Sequence, residues 1–195
     1  MRFLRNALAV VGLLALVLVG YGIFLAEPYM DNLRALDSRA PAVYRDLAHR
    51  LLETGDFAEA LVYKRRVDDG VSVDAVEEGL RVVADEEDLR SWGERSDEAD
   101  PRAAAGDPFR VLQSHVYCDA AVVSRMLGYR PATAAYLPCR IVLYEDRQGN
   151  RWLMTPDLGP LIHGGHRLPD DLREQASGLR QSLHNMIDRA ATGAI

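Results

Sequence analysis

The chain has two cysteines, one lysine and none of the short motifs that mark the common catalytic sites. Because Cys118 and Cys139 stand far apart, there is no Cys-x-x-Cys pair of the thioredoxin kind and no haem-attachment motif. The sequence also lacks a phosphate-binding glycine loop, a dinucleotide-binding fingerprint and a serine nucleophile elbow. The sequence therefore lacks the catalytic motifs of the most recognisable enzyme classes, which favours a protein that is not an enzyme.

The charge balance argues against nucleic acid as a partner. Lys and Arg together number 23, Asp and Glu number 29, and the formal net charge is -6 at pH 7. A surface of that sign repels a polyanion and does not adhere to anionic lipid through basic residues. Lys64 is the only lysine, and we attribute the excess of arginine to codon usage rather than to phosphate binding.

Charge is absent altogether from residues 7–26, a segment that begins at Ala7 and ends at Ala26. A helix of that length spans roughly 30 Å, the thickness of the hydrocarbon core of a bilayer. Arg2 and Arg5 precede the segment, which predicts a cytoplasmic amino end and a remainder on the outer side. The apolar run is longer than the roughly 7–15 residues of a signal-peptide core, so we predict an uncleaved anchor rather than a cleaved signal. The expected location is the cell inner membrane, with a single pass and a periplasmic C-terminal domain.

Four segments follow from the pattern along the chain. They are an N-terminal membrane anchor at residues 1–26, a helical lead-in at 27–56, an α+β domain at 57–168 and a C-terminal helix at 169–195. The lead-in contains a short helix at 31–39 and a second helix that Pro41 opens and Gly55 ends. These two helices are expected either to form a stalk or to pack on the domain.

The domain shows strand and helix signals in the order β-α-β-β-α-β-β-α. Strands are predicted at 61–67, near Trp92, at 109–118, at 134–145 and at 151–155, with helices that begin after Ser72, after Asp119 and near Pro169. Residues 85–107 are polar and interrupted by proline and glycine, so we expect a mobile loop there.

Two runs that contain the cysteines resemble a known family. Tyr-Cys-Asp at 117–119 precedes an amphipathic helix, and Leu-Pro-Cys-Arg-Ile at 137–141 enters an apolar strand followed by a glycine-containing hairpin. With the turn Gly-Val-Ser-Val-Asp upstream, this pattern covers about residues 60–162 and is similar to the domain-of-unknown-function family 302. The resemblance implies an α+β fold of the TATA-binding-protein-like type, an antiparallel sheet with helices on one face. It implies no reaction, and the anchor, lead-in, polar loop and long last helix depart from the family's common pattern.

Three roles are open for the two cysteines. Strand alternation places Cys139 on the side of Ile141 and Cys118 on the side of Val116, and we expect both sides to face the core. There the thiols would be core hydrophobes, or they would form a disulfide, which an outer compartment favours and which would stabilise by roughly 3 kcal/mol. In the third role Cys118 is a reactive or metal-binding thiol, favoured by the helix that follows it and opposed by the charge of Asp119.

His163 and His166 flank two glycines and form the second candidate site. The flexible loop could bring both imidazoles onto one metal ion. A structural zinc site needs four ligands, so Cys118, Asp119 or Asp157 would have to complete it. The alternative is a turn in which the glycines supply positive φ before the last helix. No cofactor is assigned from this pattern.

The sequence therefore predicts a membrane-anchored binding or accessory domain that holds a small ligand, a metal or a protein partner. One alternative is a thiol-dependent redox or sulfur-handling enzyme in which Cys118 is the nucleophile and His163 or His166 is the base. Another is a structural subunit of a membrane complex that associates through the anchor and the helices at 31–54. The ligand, the partner and the oligomeric state do not follow from the sequence.

Overall fold

A computed structural model describes residues 2–96 and 111–194, and it shows an α+β protein preceded by one apolar helix. The mobile loop predicted at 85–107 falls partly outside these residues, as do the first residues of the strand predicted at 109–118. The described part of the predicted loop is helical as far as Glu86 and becomes a strand at Arg90.

Helix α1, Arg2–Ala26, is apolar along most of its length. A one-turn 3-10 helix, Glu27–Tyr29, and helix α2, Met30–Arg34, continue it. Within this continuous run, an 18-residue window of Ala9–Arg34 has a mean hydropathy of 2.6, and the helix is long and apolar enough to cross a membrane. That finding rests on length and composition, and a signal sequence near the amino end passes the same test.

Five antiparallel strands form one sheet in the order β1-β5-β4-β3-β2. The strands are β1, Val62–Arg66; β2, Arg90–Ser96; β3, Leu112–Cys118; β4, Arg140–Glu145; and β5, Arg151–Pro156. A hairpin joins β4 to β5, and the Asp146 carboxylate shapes it by accepting hydrogen bonds from the backbone amides of Gln148 and Asn150. Such side-chain-to-backbone bonds are why Asp is common in turns.

Helices cover one face of this sheet. The helices outside the lead-in are α5, Val73–Glu86; α6, Ala120–Tyr129; α7, Gly159–His163; and α8, Asp170–Thr192. Ser72 caps α5 by accepting from the amide of Ala75, and Asp119 caps α6 in the same way, as the sequence predicts. Helix α8 packs on α5, on β1 and on β5. Its apolar stripe is buried: Leu172, Ala176, Leu179, Leu183, Met186 and Ile187.

The core lies between the sheet and the helix layer. Ile141, Leu143 and Leu153 are fully buried on the inner face of the sheet. The outer face is also largely apolar: Leu112, Val116, Val142 and Met154 point away from the helices and are half-buried.

Two details of the predicted strands are wrong. The strand predicted at 134–145 begins only at Arg140, because Pro131–Ala135 form a 3-10 helix and Pro138 has no amide hydrogen to give to a neighbouring strand. The parity argument for Cys118 also fails, since Val116 lies on the outer face and Tyr117 on the inner one. Cys118 is buried for another reason: β3 ends there and the chain turns inward.

The lead-in packs on the domain. It contains α2 and α3 (Ala40–Thr54), and α4 (Phe57–Ala60) follows it at the start of the domain. The helix predicted at 31–39 ends earlier, at Arg34. Gly55 ends α3 with φ 67°, as predicted for a glycine at a helix terminus. Between α2 and α3, Leu36 forms a β-bridge with His166, and the amide of Asp37 donates to the Gly165 carbonyl over 2.9 Å.

A buried carboxylate fastens α3 to the domain. Asp157, just after β5, is 7% exposed. It accepts from Arg180 of α8 over 2.7 Å, from Arg50 of α3 over 3.1 Å and from the amide of Gly159 over 2.9 Å. One side chain thus joins α3, the start of α7 and α8, and we call this group of residues the Asp157 clamp.

Replacing Asp157 with asparagine tests the clamp. Asparagine keeps the shape but removes the charge that Arg50 and Arg180 face, so we expect the free energy of unfolding at pH 7 to fall by about 3 kcal/mol. Urea unfolding of the full chain in detergent, followed by tryptophan fluorescence, measures the change. The control is Asp69→Asn, which breaks an exposed pair with Arg66 and should have little effect. Equal effects of the two substitutions would contradict the clamp.

The clamp also makes stability depend on pH. Burial by itself raises the pKa of Asp157, but the hydrogen bonds from Arg180 and Gly159 outweigh it and lower that pKa from 3.8 to about 2. Because the folded pKa is the lower one, this stabilisation is complete above about pH 4 and is lost as the pH falls towards 2. The difference in unfolding free energy between wild type and Asp157→Asn should therefore shrink by about 2 kcal/mol over that window. A difference that stays constant from pH 5 to pH 2 would show that Asp157 is not the group responsible.

Candidate functional site

Cys118 and Cys139 are joined as a disulfide in the core. Their Cα atoms lie 5.3 Å apart, within the range that a disulfide spans. The amide of Tyr117 donates to the Cys139 carbonyl over 3.1 Å, which brings the end of β3 beside the start of β4. Cys118 is 0% exposed and Cys139 is 2% exposed. In this bonded, buried state Cys118 offers no thiolate to a substrate.

His163 and His166 lie in different surroundings. His163, at the end of α7, turns towards the lead-in, with its Nδ1 3.6 Å from the buried Asp37 carboxylate. Burial lowers the pKa of His163, and the neighbouring Asp37 opposes that shift only partly. His166 instead lines an open cleft. Among residues 2–96 and 111–194, no three His, Cys, Asp or Glu side chains gather in a way that could hold a metal ion.

The cleft beside His166 has a volume of about 440 Å³, within the usual range for small-molecule sites. One wall comes from the end of α6 and the 3-10 helix after it, and the other from α7 and the loop that follows. Its lining includes Tyr129, Arg130, Tyr136, Leu161, Gly165 and His166. Because two of these residues are tyrosines and the rest of the lining is largely apolar, the cleft presents aromatic and aliphatic surface around a few polar atoms.

Arg130 supplies the charge of this cleft. Its Nη1 donates to the Leu161 carbonyl over 2.8 Å, which ties the two walls together. Its Nη2 is buried and has no hydrogen-bond partner in the described part of the chain. None of the described residues that line the cleft is acidic. A guanidinium with an unused donor and no nearby carboxylate is suited to bind an anion.

Gly164 and Gly165 form the part of the second wall that packs against α7 and the lead-in. A Cβ atom on Gly164 would lie 2.4 Å from the Pro160 carbonyl oxygen, so no other residue fits there without a shift of the backbone. The Gly164 carbonyl accepts a hydrogen bond from the Tyr44 hydroxyl of α3, and the Gly165 carbonyl accepts from the amide of Asp37. The lead-in therefore binds this wall on the side that faces away from the cleft.

A second, more polar cleft lies between the end of α5 and α8, with a volume of about 650 Å³. Its carboxylates already have partners. Glu87 accepts from Ser182 and Asn185, each over 2.6 Å, and Asp188 accepts from the Tyr63 hydroxyl over 2.8 Å. This arrangement fastens the two helices to each other and to β1, and it leaves little binding capacity for a ligand.

Sequence reasoning pointed to His166 but missed the residues that surround it. Arg130 follows α6 directly, Tyr136 follows the 3-10 helix after it, and Leu161 lies about 30 residues after Arg130, in α7. The one local signal is an arginine between a helix end and Pro131, where its side chain can reach back to a neighbouring loop. The glycines between the histidines were recognised, but they serve close backbone packing rather than positive φ.

Reduction of the Cys118–Cys139 bond should destabilise the fold. The bond closes a loop with a sequence separation of 21 residues, so its loss should lower the unfolding free energy by about 3 kcal/mol. Urea unfolding of the full chain with and without a thiol reductant measures this loss. The control is the double variant Cys118→Ala, Cys139→Ala, whose stability should not respond to the reductant. Ready alkylation of Cys118 in the native, unreduced protein would contradict the bonded state.

Comparison with known proteins identifies the domain but no activity. Residues 63–190 match the family described as domain of unknown function DUF302. The fold is similar to the crystal structure of an uncharacterized conserved DUF302 protein from Bacillus stearothermophilus, with 19% sequence identity and a TM-score of 0.50 over 67% of this chain and 98% of that chain. At this identity the likeness shows the fold alone. None of the curated proteins matches the chain.

Proposed function

The chain belongs to the family of domain of unknown function DUF302, and from this premise we propose that it is a membrane-tethered binding domain whose cleft takes a small organic anion. The observation that carries the proposal is Arg130, which lines a largely apolar cleft and whose buried Nη2 has no hydrogen-bond partner among the described residues. A buried polar group of that kind is costly unless something pairs with it. A carboxylate would satisfy the guanidinium, and the tyrosine rings would pack on the remainder of the ligand.

The proposed location is the periplasmic side of the inner membrane. The apolar run that ends at Ala26 supports a membrane anchor, and Arg2 and Arg5 before it support a cytoplasmic amino end. A disulfide in the core is also what proteins on that side of the membrane commonly retain. The anchor would keep the binding cleft close to the bilayer.

The thiol-dependent enzyme is supported less well. Such an enzyme would need Cys118 reduced and accessible, whereas it is fully buried and bonded to Cys139. Of the two histidines considered as its base, His163 pairs with Asp37 and His166 lines the Arg130 cleft. The structural-subunit alternative has one observation in its favour, which is the exposed apolar side chains of Leu52 in the lead-in and Phe57 directly after it.

Binding of benzoate to the full chain in bilayer discs tests the proposal. Benzoate offers a carboxylate for Arg130 and a ring for the tyrosines, and isothermal titration calorimetry with empty discs as the reference measures its affinity. We expect saturable binding that Arg130→Met weakens by at least tenfold, because one charge-assisted pair is removed. The control is Arg81→Met, which removes an exposed arginine of α5 that pairs with Glu78. Binding that is equally strong in Arg130→Met would contradict the proposed site.

A further inference from the structure

The cleft lies close to the point where the chain leaves the membrane segment. His166, in its lining, pairs directly with Leu36, and Leu36 follows α2. From Ala26, at the end of α1, to Leu36 the chain is largely helical. At the helical rise of 1.5 Å per residue this stretch covers about 15 Å. The polar headgroup region of a bilayer leaflet occupies about 5–7 Å of that distance.

The chemistry of the cleft suits a ligand with two unlike parts. Arg130 offers one buried cationic donor, and no acidic side chain of the described residues stands in the lining. Around it lie aliphatic surface from Leu161 and the rings of Tyr129 and Tyr136, which are 47% and 54% exposed. A small polar anion would use the guanidinium and leave this apolar surface in contact with water.

We infer that the ligand of this cleft is a single-chain alkyl carboxylate drawn from the adjacent bilayer. Its carboxylate would pair with the guanidinium of Arg130, and its alkyl chain would cover Leu161 and the rings of Tyr129 and Tyr136. Such amphiphiles partition between bilayer and water, so a cleft held near the headgroups meets them at high local concentration. This inference rests on the proposed function, because it names the ligand class of the same site.

The lead-in explains how the cleft keeps this position. The Asp157 clamp fixes α3, and the backbone bond from Asp37 to Gly165 fixes the wall itself. Tyr44 adds a third connection through the Gly164 carbonyl. A cleft on a flexible tether would move freely away from the membrane, whereas this one is joined to the end of the anchor by ten residues of largely helical chain.

A chain-length series tests the inference. Butyrate, hexanoate and octanoate are titrated into the full chain in bilayer discs, with empty discs as the reference. Each methylene that leaves water should tighten binding by about fourfold, and Arg130→Met should weaken octanoate binding by at least tenfold. The matched control is Arg140→Met, which changes an arginine on the apolar outer face of the sheet and therefore reports adsorption outside the cleft.

The outcomes separate this inference from the proposed function. If benzoate binds through Arg130 but affinity does not rise along the series, the inference is overturned and the proposed function stands. If neither benzoate nor octanoate binding depends on Arg130, both fail. If Arg140→Met removes the chain-length dependence, the alkyl chains bind on the sheet and the inference is wrong.

A second measurement tests whether the alkyl carboxylate comes from the bilayer. Palmitate that carries a photoreactive diazirine is placed in the disc bilayer and irradiated, and the crosslinked peptides are identified by mass spectrometry. We expect crosslinks in the peptides that contain Tyr129, Tyr136 or Leu161, and we expect octanoate to suppress them. Crosslinks confined to α1 would show that the bilayer does not deliver the ligand, and that would also overturn the inference.

Discussion

The Asp157 carboxylate determines how the parts of this protein stand relative to one another. It follows the last strand, and it binds one arginine from the lead-in, one from the last helix and the amide that begins α7. Burial of a charge is costly, but the side chains of Arg50 and Arg180 are 35% and 39% exposed and keep part of their hydration. The carboxylate therefore stays ionised in the folded protein, and three elements that are distant in the sequence meet at one point.

Much of the fold could be predicted because its signals are local. Ser72 and Asp119 cap their helices, Gly55 ends α3, and the turn at 146–150 forms its own hydrogen bonds, so neighbouring residues suffice to place these features. The strand predicted at 134–145 was wrong because β pairing, not propensity, decides where a strand begins. Cys118 does lie in the core, but the reason given for it was wrong, because Val116 is on the outer face and alternation stops being informative where a strand ends.

The candidate site could be predicted only in part, for a different reason. His166 carried a visible pattern, but its neighbours Arg130, Tyr136 and Leu161 come from separate loops that share no motif. The flexible pair of glycines between the two histidines suggested a common metal. They diverge because a buried acid of the lead-in, Asp37, attracts His163. Interactions that join residues so far apart in the sequence are set by the complete fold, and no window of the sequence displays them.

The segment 164–166 both lines the cleft and contacts the lead-in. One side of it lines the cleft, and the other receives Leu36, Asp37 and Tyr44. The family match begins at residue 63, so this cleft is carried by the family's domain while its wall is supported by residues outside that match. Because the two sides share one backbone, a ligand that favours one position of the wall also favours docking of the lead-in, and the dependence is reciprocal. Binding of the proposed ligand and docking of the lead-in would therefore be coupled equilibria.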